Sequence, residues 1–257
     1  MSTKTDLAKE IIGKKMPFYS KINKTFYKET EITEICIETA EDSAFLEKPL
    51  GRYFTLEADS IKDPFADMEK DAEALAFVLS PFLKGKERVL AAGVGNSFLT
   101  ADSLGPLFAS HLFCGSFFGK SLFSVTLGVE GRTAVPPFLL LKAAVKELKP
   151  DIIIAADALA AEGFSEICKT VQITDAGIVP GSGIGAKTAA FSKKTLGVPV
   201  IAMGTPTVIR YPGEDFAFVF PKDGDIFIDR AAKLLALGLS TAVFPEFGTE
   251  TIARVML

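Results

Sequence analysis

The sequence has no tryptophan, one histidine, three cysteines and four tyrosines in 257 residues. Histidine is the scarcity that excludes most. With His111 alone, a His₂ or His₃ zinc site cannot be built, and neither can the HExxH helix of the zincins. A Ser/His/Asp or Cys/His nucleophilic site would have to use His111 itself. Chemistry then falls to carboxylates, hydroxyls, lysines or backbone amides, with no metal or other cofactor expected. Cys36, Cys114 and Cys168 are widely spaced, odd in number and form no CxxC, so they read as buried thiols of a reducing compartment. There is no long basic run, and 28 Lys and Arg against 32 Asp and Glu give a net charge of −4. That balance carries no electrostatic footprint for nucleic acid. The longest uncharged stretch, residues 103–119, is shorter than a membrane span and is broken by Gly105, Pro106 and Gly115. The opening MSTKTDLAKEIIGKKM has lysines but no apolar h-region, so it is not a secretory signal. The expectation is a cytoplasmic protein without a membrane or nucleic-acid partner.

What is present is an alternation. Short apolar runs at 89–94, 122–127, 152–156, 171–174 and 198–203 are separated by helix-like stretches at 102–113, 138–148 and 187–195. DIIIAADAL and VPVIAMG are apolar without interruption, as strands covered on both faces should be. A last helix is expected over 225–243, with Ile226, Phe227, Ala231, Leu234, Leu235 and Leu239 on its apolar side. This pattern predicts an α/β fold, a doubly wound and mostly parallel sheet with helices on both faces. Before it, EITEICIETA and GRYFTLEAD read as partly exposed strands, and 63–79 as an amphipathic helix. One domain spanning 1–257 is expected, with an N-terminal elaboration at 7–87, a core at 88–209 and a C-terminal helical segment at 219–247.

Ligands in such sheets collect beyond the carboxyl ends of the parallel strands. Three features fall there. The first is Gly93, Gly95 and Asn96, followed by the TADSLGP segment with Asp102 at the start of a helix. Glycines leave backbone N–H groups free to face an oxyanion. On position alone, Asp102 reads as a helix cap. GxGxxG is not met, because Phe98 stands where the third glycine belongs. The second feature is Asp157, placed by IIIAADAL at the end of an apolar strand. A carboxylate there is expensive to desolvate unless it is paired or used, although a second helix cap would also account for it. Two aspartates at neighbouring strand ends can converge, so that one keeps its proton and acts as acid while the other acts as base.

The third feature is the run Thr174 to Lys187, with Gly181, Ser182, Gly183, Gly185 and Lys187 in a loop suited to an anion nest. It misses the Walker A pattern by one residue, since Ala186 occupies the required glycine position. Two weaker pairs complete the set. His111 and Cys114 would share a helix face but lie in the apolar LFASHLFCGSFF and read as core; Ser182 with Lys187 is a faint Ser/Lys signal.

Taken together, VGNSFLTADSLGP, KPDIIIAADALAA, VQITDAGIVPGSGIGAK and TLGVPVIAMGTPTVI resemble the germination (spore) protease family of endospore formers. GRYFTLEAD and the segment 219–247 are similar to family segments too, and Thr5-Asp6-Leu7-Ala8 resembles the family's propeptide processing site. The resemblance implies an atypical aspartic endopeptidase with a fold akin to hydrogenase-maturation endopeptidases. It implies small acid-soluble spore proteins as substrate, homo-oligomers, and a location in the forespore or spore core. Its proposed catalytic aspartates correspond to Asp102 and Asp157, and a cut between Asp6 and Leu7 would release residues 1–6 as a propeptide. Around the pair, the loops at Gly93–Asn96 or Gly181–Gly185 would supply the oxyanion hole. The chain departs from the family where Pro136-Pro137 replaces a Glu-Thr, where Val179 and Ala186 replace a His and an Asn, and where an insertion shrinks to 210–218. A metal-assisted maturation-type peptidase and a catalytically silent binding paralogue are the alternative readings.

Overall fold

In chain order the elements of the computed structural model are α1 (Ala8–Lys14), β1 (Lys21–Tyr27), β2 (Thr30–Ile37), α2 (Ala40–Leu46), β3 (Gly51–Glu57), α3 (Met68–Leu83), β4 (Arg88–Val94) and α4 (Leu104–His111). They continue with β5 (Gly115–Phe117), β6 (Lys120–Gly128), α5 (Glu130–Thr133), α6 (Pro137–Leu148), β7 (Ile152–Ala161), β8 (Thr170–Thr174) and α7 (Lys193–Leu196). Last come β9 (Val200–Tyr211), β10 (Ala217–Val219), α8 (Gly224–Val243) and α9 (Thr249–Met256). The structure describes residues 5–14, 21–181, 189–211 and 217–256.

The strands form one sheet of order β1-β2-β3-β8-β9-β7-β4-β6-β5, with β10 also on β9. Its centre, β9-β7-β4-β6, is parallel. The expected α/β architecture with a parallel central sheet is therefore present. The flanks are antiparallel: β1, β2 and β3 extend the sheet through β8, and β5 closes the other edge. The uninterrupted apolar strands divide their residues between two cores, as a period of two requires. Val89, Ala91, Ile152 and Ile154 face a core built with α3, α4, α8 and α9. Leu90, Ala92, Ile153 and Ala155 face a second core closed by Leu141 of α6 and Leu196 of α7. On that second face, but toward β2 and β3, a smaller cluster packs Ala8 and Ile11 of α1 and Leu46 of α2 over Ile35, Ile37 and Tyr53.

Several expectations are corrected. The helix expected at 187–195 is a single turn at Lys193–Leu196, because Ile178 and Phe191 bridge as extended chain and Ser192 is the N-cap of the turn. The amphipathic helix starts at Met68, capped by Asp67, rather than at 63. Only Cys168 is buried; Cys36 is half-buried and Cys114 exposed. The His111–Cys114 core pair does not form either, since α4 ends at His111. There, His111 Nε2 lies 3.0 Å from Asp229 Oδ1 on α8, a half-buried surface contact. A phenylalanine cluster packs at the far end of α8, where Phe113, Phe117, Phe244 and Phe247 meet in stacked and edge-on pairs. No helix among the described residues is long and apolar enough to cross a membrane.

Candidate active site

Asp157 does not end its strand. β7 runs on to Ala161, because β9 pairs with it as far as Ile209. What ends is the other neighbour: β4 pairs with β7 only to Ala156, so Asp157 is the first residue past the parallel partner. The helix-cap reading of Asp157 fails, since the residue is inside a strand. Alternation puts Asp157 on the face of Ile153 and Ala155. On that face Asp157 is in register with Gly204 of β9, and Gly204 with Gln172 of β8. The row Asp157–Gly204–Gln172 lies between the cover of α6 and α7 and the cover of α1 and α2, where a cavity of about 510 Å³ opens.

Asp102 reaches the same cavity from a 3₁₀ turn at Thr100–Asp102 beyond the end of β4. It does not cap α4, whose N-cap is Ser103 without a side-chain bond. Its Oδ2 accepts the Asn96 N–H at 2.8 Å instead. The glycines nearby make room rather than line the cavity. A Cβ on Gly95 would stand 2.1 Å from the Asp102 carbonyl oxygen, and one on Gly105 would stand 2.1 Å from the Val94 oxygen and 2.6 Å from the Ala156 oxygen. A Cβ on Gly93 would likewise meet the Gly105 carbonyl at 2.1 Å. Asn96 thus spends its amide on Asp102, and Gly93 and Gly95 serve as close-approach points between β4 and the chain that carries Asp102. Gly181 lines the cavity, and its backbone amide is among the influences that hold the Asp157 pKa down. Ser182, Gly183, Gly185 and Lys187 lie outside the described residues.

The electrostatics of the two carboxylates differ in degree. Asp157 is 6% exposed. Burial pushes its pKa well above the ordinary carboxylate range, and the Asp102 and Asp6 charges push the same way. Its Oδ1 accepts the Ala158 N–H at 2.9 Å, which with the Gly181 amide offsets part of that cost. Asp102 is half-buried; burial raises its pKa too, opposed by the Asn96 amide. Both carboxyl groups are thus shifted toward the protonated form, and the Asp102 charge adds to the shift of Asp157. Among the described residues, no group of three or more His, Cys, Asp and Glu side chains is gathered to hold a metal ion.

Residues 5–8 pack along the wall of this cavity, and Asp6 lines it. Asp6 N–H donates to the Ala160 carbonyl at 2.8 Å, and Ala160 N–H donates to Asp6 Oδ2 at 2.9 Å. Leu7 is wholly buried against Leu159 and Ala161. The Asp6 carbonyl accepts two bonds of 2.9 Å, from Lys48 Nζ and Gln172 Nε2. Glu10 of α1 accepts the N–H groups of Glu162 and Gly163 and the Thr5 hydroxyl, which moors the segment to the end of β7. Lys48 and Gln172 are not legible as site residues in the sequence. The one available signal is Gln172 itself, a long amide side chain among the short residues of TVQIT.

A parallel-centred α/β protein with two enclosed carboxylates in one cavity is the class that fold and site define. The chain belongs to the germination protease family, whose sequence model matches residues 14–212. It is 37% identical to the germination protease of Bacillus pumilus over 188 residues, which cover 66% of this chain and 51% of that one. Against the germination protease of Caldanaerobacter subterraneus it is 36% identical over 193 residues, covering 70% of this chain and 60% of the relative. The Bacillus cereus protein is 34% identical over 234 residues, which cover 81% and 63% respectively. This chain therefore matches about half to three-fifths of the length of these relatives. Among solved structures, a [NiFe] hydrogenase maturation protease from Thermococcus kodakarensis KOD1 aligns with a TM-score of 0.44 at 20% identity, over 65% of this chain and 98% of that one.

Proposed function

We propose that this chain is an endopeptidase in which Asp102 and Asp157 jointly activate water, and that its substrates are small acid-soluble spore proteins. The observation that carries the reading is a peptide carbonyl, that of Asp6, held at the wall of the cavity that both carboxyl groups line. In the step envisaged, the ionised carboxylate takes a proton from water as the water oxygen bonds to the carbonyl carbon. The carbonyl π pair moves onto oxygen. Collapse of the tetrahedral intermediate breaks the C–N bond, and the protonated carboxyl group gives its proton to the leaving nitrogen. The family context of the cut, a Thr-acidic-apolar-Ala sequence, points to the Asp6–Leu7 bond as a self-processing site. Purified full-length chain should lose the mass of residues 1–6 on incubation. Intact-mass spectrometry checks this, and an N-terminus that stays whole while a Thr-Glu-Ile-Ala peptide is cut would remove self-processing from the account.

The pH dependence comes from the pair. Cleavage needs one carboxyl group protonated and one ionised, so it falls at acid pH as the base is protonated and at alkaline pH as the acid ionises. Burial raises both groups, so both limbs are expected above the ordinary carboxylate value of 3.8. A kcat/KM profile over pH 3–9 reads this directly. A rate still rising as pH drops below that value would contradict the assignment.

A further inference from the structure

We propose that Lys48 and Gln172 are the oxyanion donors of this site, a role that the sequence alone assigns to the glycine-rich loops. The inference rests on the endopeptidase reading above. A carbonyl oxygen has two lone pairs, and on Asp6 both are occupied by side-chain donors from separate parts of the fold. Lys48 comes from the turn between α2 and β3, and Gln172 from the middle of β8. The orientation of the Gln172 amide is set by chemistry. Its Oε1 accepts the Ala8 N–H at 2.8 Å, which leaves Nε2, the donor end, facing the Asp6 carbonyl. Gln172 therefore grips the chain on both sides of the Asp6–Leu7 bond. The Lys48 ammonium stands on the oxygen where negative charge develops when water adds to the carbon.

Among the described residues, the Asn96 amide is committed to Asp102 and the Ala158 amide to Asp157. Burial lowers the Lys48 pKa, and the neighbouring Asp6 carboxylate opposes that shift by favouring the ammonium. An ammonium held in an enclosed, partly apolar cavity is little screened by water, so its attraction to a developing oxyanion is strong. A purely structural role, anchoring residues 5–8, would use the same two bonds but would not change the rate of bond cleavage once a peptide is bound.

The test compares wild type, Lys48→Met, Gln172→Met and Asp157→Asn, each checked for folding by thermal denaturation. The readouts are kcat and KM on a Thr-Glu-Ile-Ala peptide, and the rate of loss of residues 1–6. Lys48→Met is expected to lower kcat about 10²–10³-fold with KM changed far less, as loss of one oxyanion donor does. Gln172→Met should lower it in the same sense, and Lys48→Arg should restore part of the loss. If both Met variants are folded and keep wild-type kcat while Asp157→Asn is inactive, the oxyanion assignment is overturned and the carboxylate pair stands. If wild type cuts neither itself nor the peptide, the endopeptidase reading fails and this inference with it; if Asp157→Asn cleaves at the wild-type rate, the carboxylate pair fails and the Met variants still decide the oxyanion assignment. A change confined to KM would mark the two residues as anchors and overturn the proposal as well.

Discussion

Replacing Asp157 with asparagine is expected to lower kcat/KM on an acidic–apolar peptide by about 10³-fold while making the folded chain more stable at neutral pH. The two effects have one origin. Asparagine has the shape of aspartate, and its Oδ1 can still accept the Ala158 N–H, so packing is kept. It cannot ionise, so it cannot share a proton with Asp102. The stability gain comes from burial, which raises the folded-state pKa of Asp157 well above 3.8. At a pH below that ordinary value the carboxyl group is protonated in both folded and unfolded chain, and the two proteins should be equally stable. As pH rises, the unfolded aspartate ionises while the folded one does not, so wild type loses stability relative to the variant until the folded pKa is passed. Urea titrations of both proteins from pH 3 to pH 8 measure the gap. A gap that is constant across that range, or that favours wild type at neutral pH, would mean that Asp157 is not a strained carboxyl group.

Gly105→Ala should be the most damaging small substitution. Gly105 sits in α4, where helix propensity alone favours alanine by about 1 kcal/mol. Close packing opposes it. The new Cβ would lie 2.1 Å from the Val94 oxygen, 2.4 Å from the Val94 nitrogen and 2.6 Å from the Ala156 oxygen, all of them backbone atoms that cannot swing aside. Overpacking of that severity costs about 3 kcal/mol. The net loss, about 2 kcal/mol, corresponds to a fall in Tm of about 4–8 °C for a chain of this size. Because Gly105 touches β4 at Val94 and β7 at Ala156, the displacement would also spread the supports of the two aspartates and depress activity. Gly131, in α5, is the control: an added Cβ there meets nothing within 4 Å, so Gly131→Ala should be neutral or stabilising. If Gly105→Ala melts at or above wild type, propensity outweighs packing and the close approach is not a constraint.

The parts of the fold that are legible in the sequence are those fixed by burial on two faces. Ile152 to Ala156 and Val89 to Val94 have to be central strands because no solvated face could accept them. Asp157 stands out because an aspartate directly succeeds that run. The edges are harder to read. β5 and β10 are three residues each, too short for a period to register, and α9 begins only after the PEF turn beyond α8. Asp102 lines the cavity, but its local role reads wrongly as a cap, because the bond from Asn96 depends on a turn whose shape the sequence does not disclose. Lys48 is invisible for a different reason. Its partner is the Asp6 carbonyl, brought to it by the path of α1 and the docking of Leu7, and no local pattern encodes such a meeting. The N-terminal segment resembles a processing site, yet nothing in the sequence places it at the wall of the cavity that the two carboxyl groups line.

The central claim is that Asp102 and Asp157 act as one catalytic unit. Its most direct test is kcat/KM on a single Thr-Glu-Ile-Ala peptide for wild type, Asp102→Asn, Asp157→Asn and the double variant, at equal concentration of folded protein. The account predicts that each single change removes about 10³-fold or more and that the double change costs little beyond either one. Wild-type rates in both single variants, or losses that simply multiply in the double variant, would contradict it.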